Sequence, residues 1–224
     1  MDSSQDDFPT SLTIKNDHHH ELRYGENPHQ TASLYVDPNI QEANVVTAVQ
    51  LNPAAKELSY NNYNDSDGAL NLIKEFKNPA AAIIKHTNPA GCAVAKTISE
   101  AYAKALSTDP MSAFGGVVAL NQKCDVKTAE QIVSSFKEVV VAPSYTENSL
   151  TILRTKKNLR ILSVGELNSP SVTLIEKPII GGRLIQQRDL SSLSPNDLNI
   201  VTKIEPTPSQ IETMLFAWKV VKHV

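Results

Sequence analysis

Lys85 and His86 stand together at the end of the apolar run Ala80-Ala81-Ala82-Ile83-Ile84, directly before Thr87-Asn88-Pro89-Ala90-Gly91. Small and β-branched residues stopped by Asn-Pro and Gly predict a buried strand that ends in a sharp turn. That reading sets an ammonium and an imidazole at a strand's carboxyl end, the rim where open α/β sheets take ligands. Imidazole changes charge near neutral pH, so the pair is a candidate for chemistry. The plain alternative is a surface lysine beside a hydrogen-bonded histidine.

Three other segments concentrate functional side chains outside any periodic stretch. Arg23-Tyr24-Gly25-Glu26-Asn27-Pro28-His29-Gln30 offers a planar guanidinium fork for phosphate or carboxylate, a stackable ring and a glycine that lets backbone approach a ligand, or else is only a polar turn. Tyr60-Asn61-Asn62-Tyr63-Asn64-Asp65 has amides that suit a carboxamide or ribose and equally suit turns and caps. Asp109-Pro110-Met111-Ser112-Ala113-Phe114-Gly115-Gly116 precedes a strand and pairs the flat wall of Phe114 with the bare backbone of Gly115; a turn with a core Phe accounts for it as well. Several familiar chemistries are excluded by inspection: no GxGxxG, Walker A, G-x-S-x-G or HExxH is present, and Cys92 lacks the PCxxC partner of a zinc deaminase. His18-His19-His20 cannot all face one metal ion from an extended segment, and no role is assigned to them.

The elements that must position these residues alternate between helix and strand from Asp65 onward. Asp65 is expected to cap a helix striped by Leu70, Ile73 and Phe76/Lys77, stopped by Asn78-Pro79 ahead of a strand over 80–85. Thr97-Ile98-Ser99-Glu100 reads as a capping box opening a second helix with Ala101, Tyr102 and Ala105 on its face. A strand over 116–120, a helix striped by Val126, Ala129, Ile132, Val133 and Phe136, and strands over 139–142 and 159–164 follow. Such strands without internal alternation, separated by helices, predict a mainly parallel sheet covered on both faces. Residues 170–188 hold two apolar runs around Gly181-Gly182, a hairpin or two peripheral strands. Thr207-Pro208-Ser209-Gln210 then starts a helix toward His223, with Ile211, Leu215, Trp218 and Val221/Lys222 on its buried side.

A chain of 224 residues can build its core without staples. With 21 Lys+Arg against 24 Asp+Glu and a net charge of −3, the charges are scattered, so no nucleic-acid partner is expected. Two isolated cysteines, Cys92 and Cys124, fit a reducing compartment and argue against a disulfide framework or structural zinc. No apolar stretch approaches about 18 residues and the N-terminus is acidic, so neither a membrane span nor a signal peptide is expected and the location is read as cytoplasmic.

Taken in order, Leu22-Arg23-Tyr24-Gly25-Glu26-Asn27-Pro28-His29-Gln30, Leu58-Ser59-Tyr60-Asn61-Asn62, Ile84-Lys85-His86-Thr87-Asn88-Pro89-Ala90-Gly91 and Ser112-Ala113-Phe114-Gly115-Gly116 closely resemble the bifunctional purine biosynthesis proteins of the bacterial type, which join IMP cyclohydrolase to AICAR transformylase. The resemblance runs from Leu22 to Val224. It implies an α/β fold with a three-layer, zinc-free, cytidine-deaminase-like sheet and helices on both faces. Residues 1–17 are polar and lack sustained periodicity, so they read as a tail or linker, taken as 1–21 because the resemblance begins at Leu22. The resemblance implies a first transformylase subdomain over 22–205 and a helix over 206–224 leading into a second subdomain. The cyclohydrolase domain and that second subdomain are expected to lie outside this chain.

By the same resemblance the reaction is formyl transfer from the co-substrate 10-formyltetrahydrofolate to the 5-amino group of AICAR, without a metal and in a homodimer. His86 would move the proton from that amine, a poor nucleophile that gains by losing its proton as the bond forms. Lys85 would supply positive charge where an oxyanion develops. Arg23, Tyr24, Asn62, Phe114, Gly115 and Glu138 would line the nucleotide, and Met111 and Ser112 the folate side. The competing class is a non-catalytic nucleotide-binding or assembly fragment, which would show AICAR affinity without turnover; a zinc deaminase is a distant third.

Overall fold

The apolar runs over 80–85, 116–120, 139–142 and 159–164 form four strands of a six-stranded mixed sheet flanked by helices in the computed structural model, which describes residues 8–168, 170 and 174–224. The tail reading for residues 1–7 lies outside the described residues. From Asp17 the segment expected as tail is instead a strand, β1 (Asp17–Leu22), paired antiparallel with β2 (Ala32–Val36). Asp-His-His-His-Glu-Leu is polar on both sides, so it carries no alternation that would mark it as a strand.

After β3 (Val49–Gln50), the chain forms α1 (Tyr60–Lys74), β4 (Ala80–Lys85), β5 (Asn88–Val94), α2 (Ile98–Thr108), β6 (Val117–Leu120), α3 (Val126–Val133), β7 (Val139–Ala142), α4 (Glu147–Leu153) and β8 (Arg160–Ser163). The sheet order is β3-β8-β7-β6-β4-β5. Only β6 with β7 and β7 with β8 pair parallel; β3 with β8, β4 with β6 and β4 with β5 are antiparallel. The mainly parallel expectation is therefore corrected to a mixed sheet. The cause is local: a tight turn after β4 sends β5 straight back, and the α2 crossover from β5 then reaches β6 on the far side of β4. Asn88-Pro89-Ala90-Gly91 reads as a stop from sequence, yet it begins β5. Proline is tolerated there because β5 is an edge strand. Gly91 is required, since a Cβ would lie 2.0 Å from the Ala105 carbonyl of α2.

Alternate residues of the central strands feed two cores. Ala81, Ile83, Val118, Leu120, Val140 and Ile161 pack with Tyr102 of α2, Ile132 of α3 and Leu153 of α4. Ala82, Ile84, Val117, Ala119, Val139, Val141 and Leu162 pack on the other face with Leu70, Leu72 and Ile73 of α1. Each fully buried Leu or Ile contributes roughly 1.5–3 kcal/mol relative to exposure, so both faces hold the sheet.

α1 is capped by Ser59, not Asp65. The Ser59 hydroxyl accepts from the Asn62 amide N–H while the Asn62 side chain accepts from the Ser59 N–H, and Asp65 falls within the helix. Phe76 lies past α1, and Phe136 past α3, half exposed.

The C-terminal part begins with the hairpin β9 (Leu174–Ile179) and β10 (Gly182–Gln187). α5 (Pro208–Val221) then starts with the Thr207–Gln210 capping box. Its buried side differs from expectation: Trp218 and Val221 are exposed, while Phe216 stacks on Phe76 at 5.4 Å and Val220 packs against the α1-side core. Among the described residues no helix is long and apolar enough to cross a membrane.

Candidate active site

The turn after β4 is built from His86 and Thr87 alone, at φ 52° and 66°. Two consecutive left-handed residues are what a two-residue hairpin needs to match strand twist, a requirement usually met by Asn-Gly. Here an exposed imidazole occupies the first position. Lys85, half-buried, donates from Nζ to the Gly115 carbonyl at 3.2 Å. This joins the end of β4 to the loop over 109–116. That loop fits closely: a Cβ on Gly116 would lie 2.9 Å from the Ile84 carbonyl, and Gly115 adopts φ +68° while its N–H donates to the Phe136 carbonyl at 2.9 Å.

Phe114 and Phe136 form an exposed aromatic wall beside this junction, ring centroids 5.5 Å apart. Met111 is 88% exposed at the loop's outer edge. Ser112 donates from N–H and hydroxyl to the Asp109 carboxylate, and those bonds hold Asp109 below its ordinary value.

The rim expectation holds only for β4. Because β4 runs opposite to β6, the site lies at the carboxyl end of β4 and at the amino ends of β6, β7 and β8. Glu138 immediately precedes β7, and its N–H donates to the Gly116 carbonyl. Its carboxylate accepts from Asn62 Nδ2 at 2.8 Å and lies 4.0 Å from the Arg160 guanidinium at the start of β8. Asn62, expected in a loop, thus sits in the first turn of α1, where one amide serves both the cap and Glu138.

Arg160 is 9% exposed and donates to the carbonyls of Lys56 and Glu57. Burial lowers its pKa, the Glu138 carboxylate opposes that, and Arg23 and Tyr24 are close enough to act on it electrostatically. Arg23 lies over the Tyr24 ring at 5.5 Å, and Asn61 Nδ2 donates to the Glu26 carbonyl, tying this loop to α1.

Lys85, His86, Phe114 and Gly115 therefore share one junction, and Asn62, Glu138, Arg23 and Tyr24 join it through the strand ends and Arg160. Met111 and Ser112 stay at the exposed margin of the same loop. Sequence reasoning misses Arg160, Phe136 and the actual place of Asp65. The one available signal for Arg160 is a cation opening an otherwise apolar strand.

A cavity of about 880 Å³ lies at the opposite end of the sheet, among Asn71, Lys74, Lys77, Asn121, Arg188 and His223. It contains none of the candidate residues. Two of its lining residues, Lys74 and Arg188, pair with buried Glu42 at 2.7 and 3.0 Å. Among the described residues no group of three or more His, Cys, Asp or Glu side chains is placed to hold a metal ion.

Comparison with known proteins places these motifs in a wider setting. A family model described as "AICARFT/IMPCHase bienzyme" matches residues 1–224. The chain is 47% identical over 218 residues to the bifunctional purine biosynthesis protein PurH of Thermoanaerobacter sp. (strain X514), covering 97% of this chain and 42% of that protein. It is 44% identical over 225 residues to PurH of Halalkalibacterium halodurans, covering 100% and 43%. With PurH of Caldicellulosiruptor saccharolyticus the identity is 47% over 219 residues, covering 97% and 42%. The chain spans less than half the length of these curated relatives.

Proposed function

Because the chain belongs to the AICARFT/IMPCHase bienzyme family, we propose that the end of the sheet bearing Lys85 and His86 serves formyl transfer from 10-formyltetrahydrofolate to the 5-amino group of AICAR in purine biosynthesis. The observation that carries this is the Lys85–Gly115 bond, which brings the β4 terminus and the Phe114–Gly115 loop to one point. His86 takes the amine proton as the new C–N bond forms and returns it to the folate nitrogen that leaves, so one imidazole acts as base and then acid. Lys85 faces the formyl oxygen as it becomes an oxyanion. Arg23 and Arg160, opposed near the site by the Glu138 carboxylate, leave positive charge for the nucleotide's phosphate. Asn62 orients Glu138, and Tyr24, Phe114 and Gly115 line the base and ribose. Met111 and Ser112 meet the folate.

On the same reading the layers are those of a zinc-free cytidine-deaminase-like subdomain over 22–205, with 206–224 leading onward, in a cytoplasmic homodimer. No nucleic acid or membrane takes part.

The test is turnover with AICAR and 10-formyltetrahydrofolate, using the chain alone and with the remaining length of a PurH relative supplied separately. Formylated product should appear in at least one mixture and fall about 10²–10⁴-fold with His86→Ala, the range for a lost acid-base group. Turnover within a few-fold of the unsubstituted chain would remove His86 from the mechanism.

A further inference from the structure

The His86–Thr87 turn is disfavoured by its own residues. Neither is glycine, and a β-branched side chain at φ 66° is an outlier for L-amino acids. Such backbone persists only where surrounding structure over-determines it. Within the turn, the Thr87 hydroxyl and the Asn88 amide both donate to the His86 carbonyl, at 2.6 and 3.1 Å. The hydrogen bond from outside the hairpin comes from α1: Asp65 Oδ1 accepts the Thr87 N–H at 2.8 Å, 22 residues away in sequence. α1 itself is fixed by the Ser59–Asn62 box at its start and by buried Leu70 and Ile73 below. It also runs close to the turn, for a Cβ on Gly68 would come within 4.0 Å of the Thr87 carbonyl. A half-buried carboxylate on a rigid helix is a stronger acceptor for a peptide N–H than water or a neutral group.

We propose that Asp65 is the positioning residue of the His86 turn: by holding the Thr87 N–H it keeps both residues left-handed and fixes the direction from which the imidazole meets its substrate. This rests on the reading of His86 as the proton-transfer group. α1 then carries two supports of the site in adjacent turns, with Asn62 on Glu138 and Asp65 on His86.

The experiment uses the ¹⁵N-labelled 224-residue chain with Asp65→Asn, Asp65→Ala and Asp65→Ala combined with Thr87→Gly. Asp65→Ala should speed exchange of the Thr87 amide by about tenfold to a hundredfold, the loss of one charged hydrogen bond, and give more than one His86 signal. Val118 in the core should keep its protection, which shows that the fold survives. Asp65→Asn keeps an acceptor and should keep a single His86 signal while shifting the Thr87 amide resonance. Adding Thr87→Gly should return His86 to one signal, because glycine adopts positive φ unaided.

Where turnover is measured, Asp65→Ala should lower kcat with KM for AICAR within a few-fold, and Asp65→Asn should recover most of it. Unchanged Thr87 exchange and a single His86 signal in Asp65→Ala would overturn the proposal. So would an unmoved Thr87 resonance in Asp65→Asn, which also decides the matter should the alanine variant not fold. A kinetically silent His86→Ala with the Thr87 effects intact would instead place the failure in the functional reading, leaving Asp65 a purely structural anchor.

Discussion

Replacing Gly115 by alanine separates backbone conformation from site chemistry. Gly115 has φ +68°, where an L-residue costs about 1–2 kcal/mol relative to glycine, partly offset by about 0.4–1 kcal/mol from a stiffer unfolded chain. The net expectation is a loss of about 1 kcal/mol. Gly181, at φ +86° in the β9–β10 hairpin, faces the same cost, and a Cβ there would touch nothing within 4 Å. At Gly115 a Cβ would lie 3.4 Å from Lys85 Nζ and 3.4 Å from the Phe136 ring. Both contacts are ordinary, but the added methyl would stand against the ammonium that donates to the Gly115 carbonyl and partly screen it from a ligand. Urea unfolding followed by far-UV circular dichroism should therefore show equal destabilisation for Gly115→Ala and Gly181→Ala. Calorimetric titration with AICAR should show weaker binding, by about tenfold or ~1.4 kcal/mol, for Gly115→Ala alone. Wild-type stability in Gly115→Ala, or equal loss of AICAR affinity in both variants, would refute the reasoning.

Two further outcomes follow from the supporting structure. Ser59→Ala removes the cap of α1 and should cost about 1 kcal/mol in urea unfolding, with loss of the Asn62–Glu138 contact visible as a shift of the Asn62 side-chain amide resonance. Burial alone would raise the Glu75 carboxyl, but hydrogen bonds from His223 and Lys222 outweigh it and hold the group below its ordinary value of 4.5. The folded pKa is depressed, so this contribution is present above 4.5 and lost as pH falls through the lower folded value. Glu75→Gln should accordingly lessen the acid loss of stability in that window, read from urea midpoints at several pH values; an identical pH profile would show that the cluster does not couple to folding.

How much of this was readable beforehand depends on burial. β4, β6 and β7 are legible almost residue for residue because both of their faces are covered, leaving unbroken runs such as Val139-Val140-Val141-Ala142. β1 is hidden by its polar composition, β5 by Pro89 and Gly91, and α4 by its brevity at seven residues. Asp65 imitates an N-cap because it precedes an apolar stripe, while the true cap at Ser59 is masked by the polar-aromatic run that follows it. In the site, Lys85 and His86 are legible as polar residues ending an apolar run. Glu138 is reached only through family resemblance, since its neighbours are unremarkable. Arg160 escapes because its importance is created by β8 lying beside β7, a long-range pairing that no local pattern announces.

The central claim, that the nucleotide is handled where β4 ends, is tested most directly by titrating the ¹⁵N-labelled chain with AICAR and mapping the shifted amides. The account predicts saturable shifts concentrated at Arg23, Tyr24, Lys85, His86, Gly115 and Glu138. Shifts at Asn71, Lys77, Asn121 and Arg188, around the cavity at the other end of the sheet, with those residues silent, would contradict it.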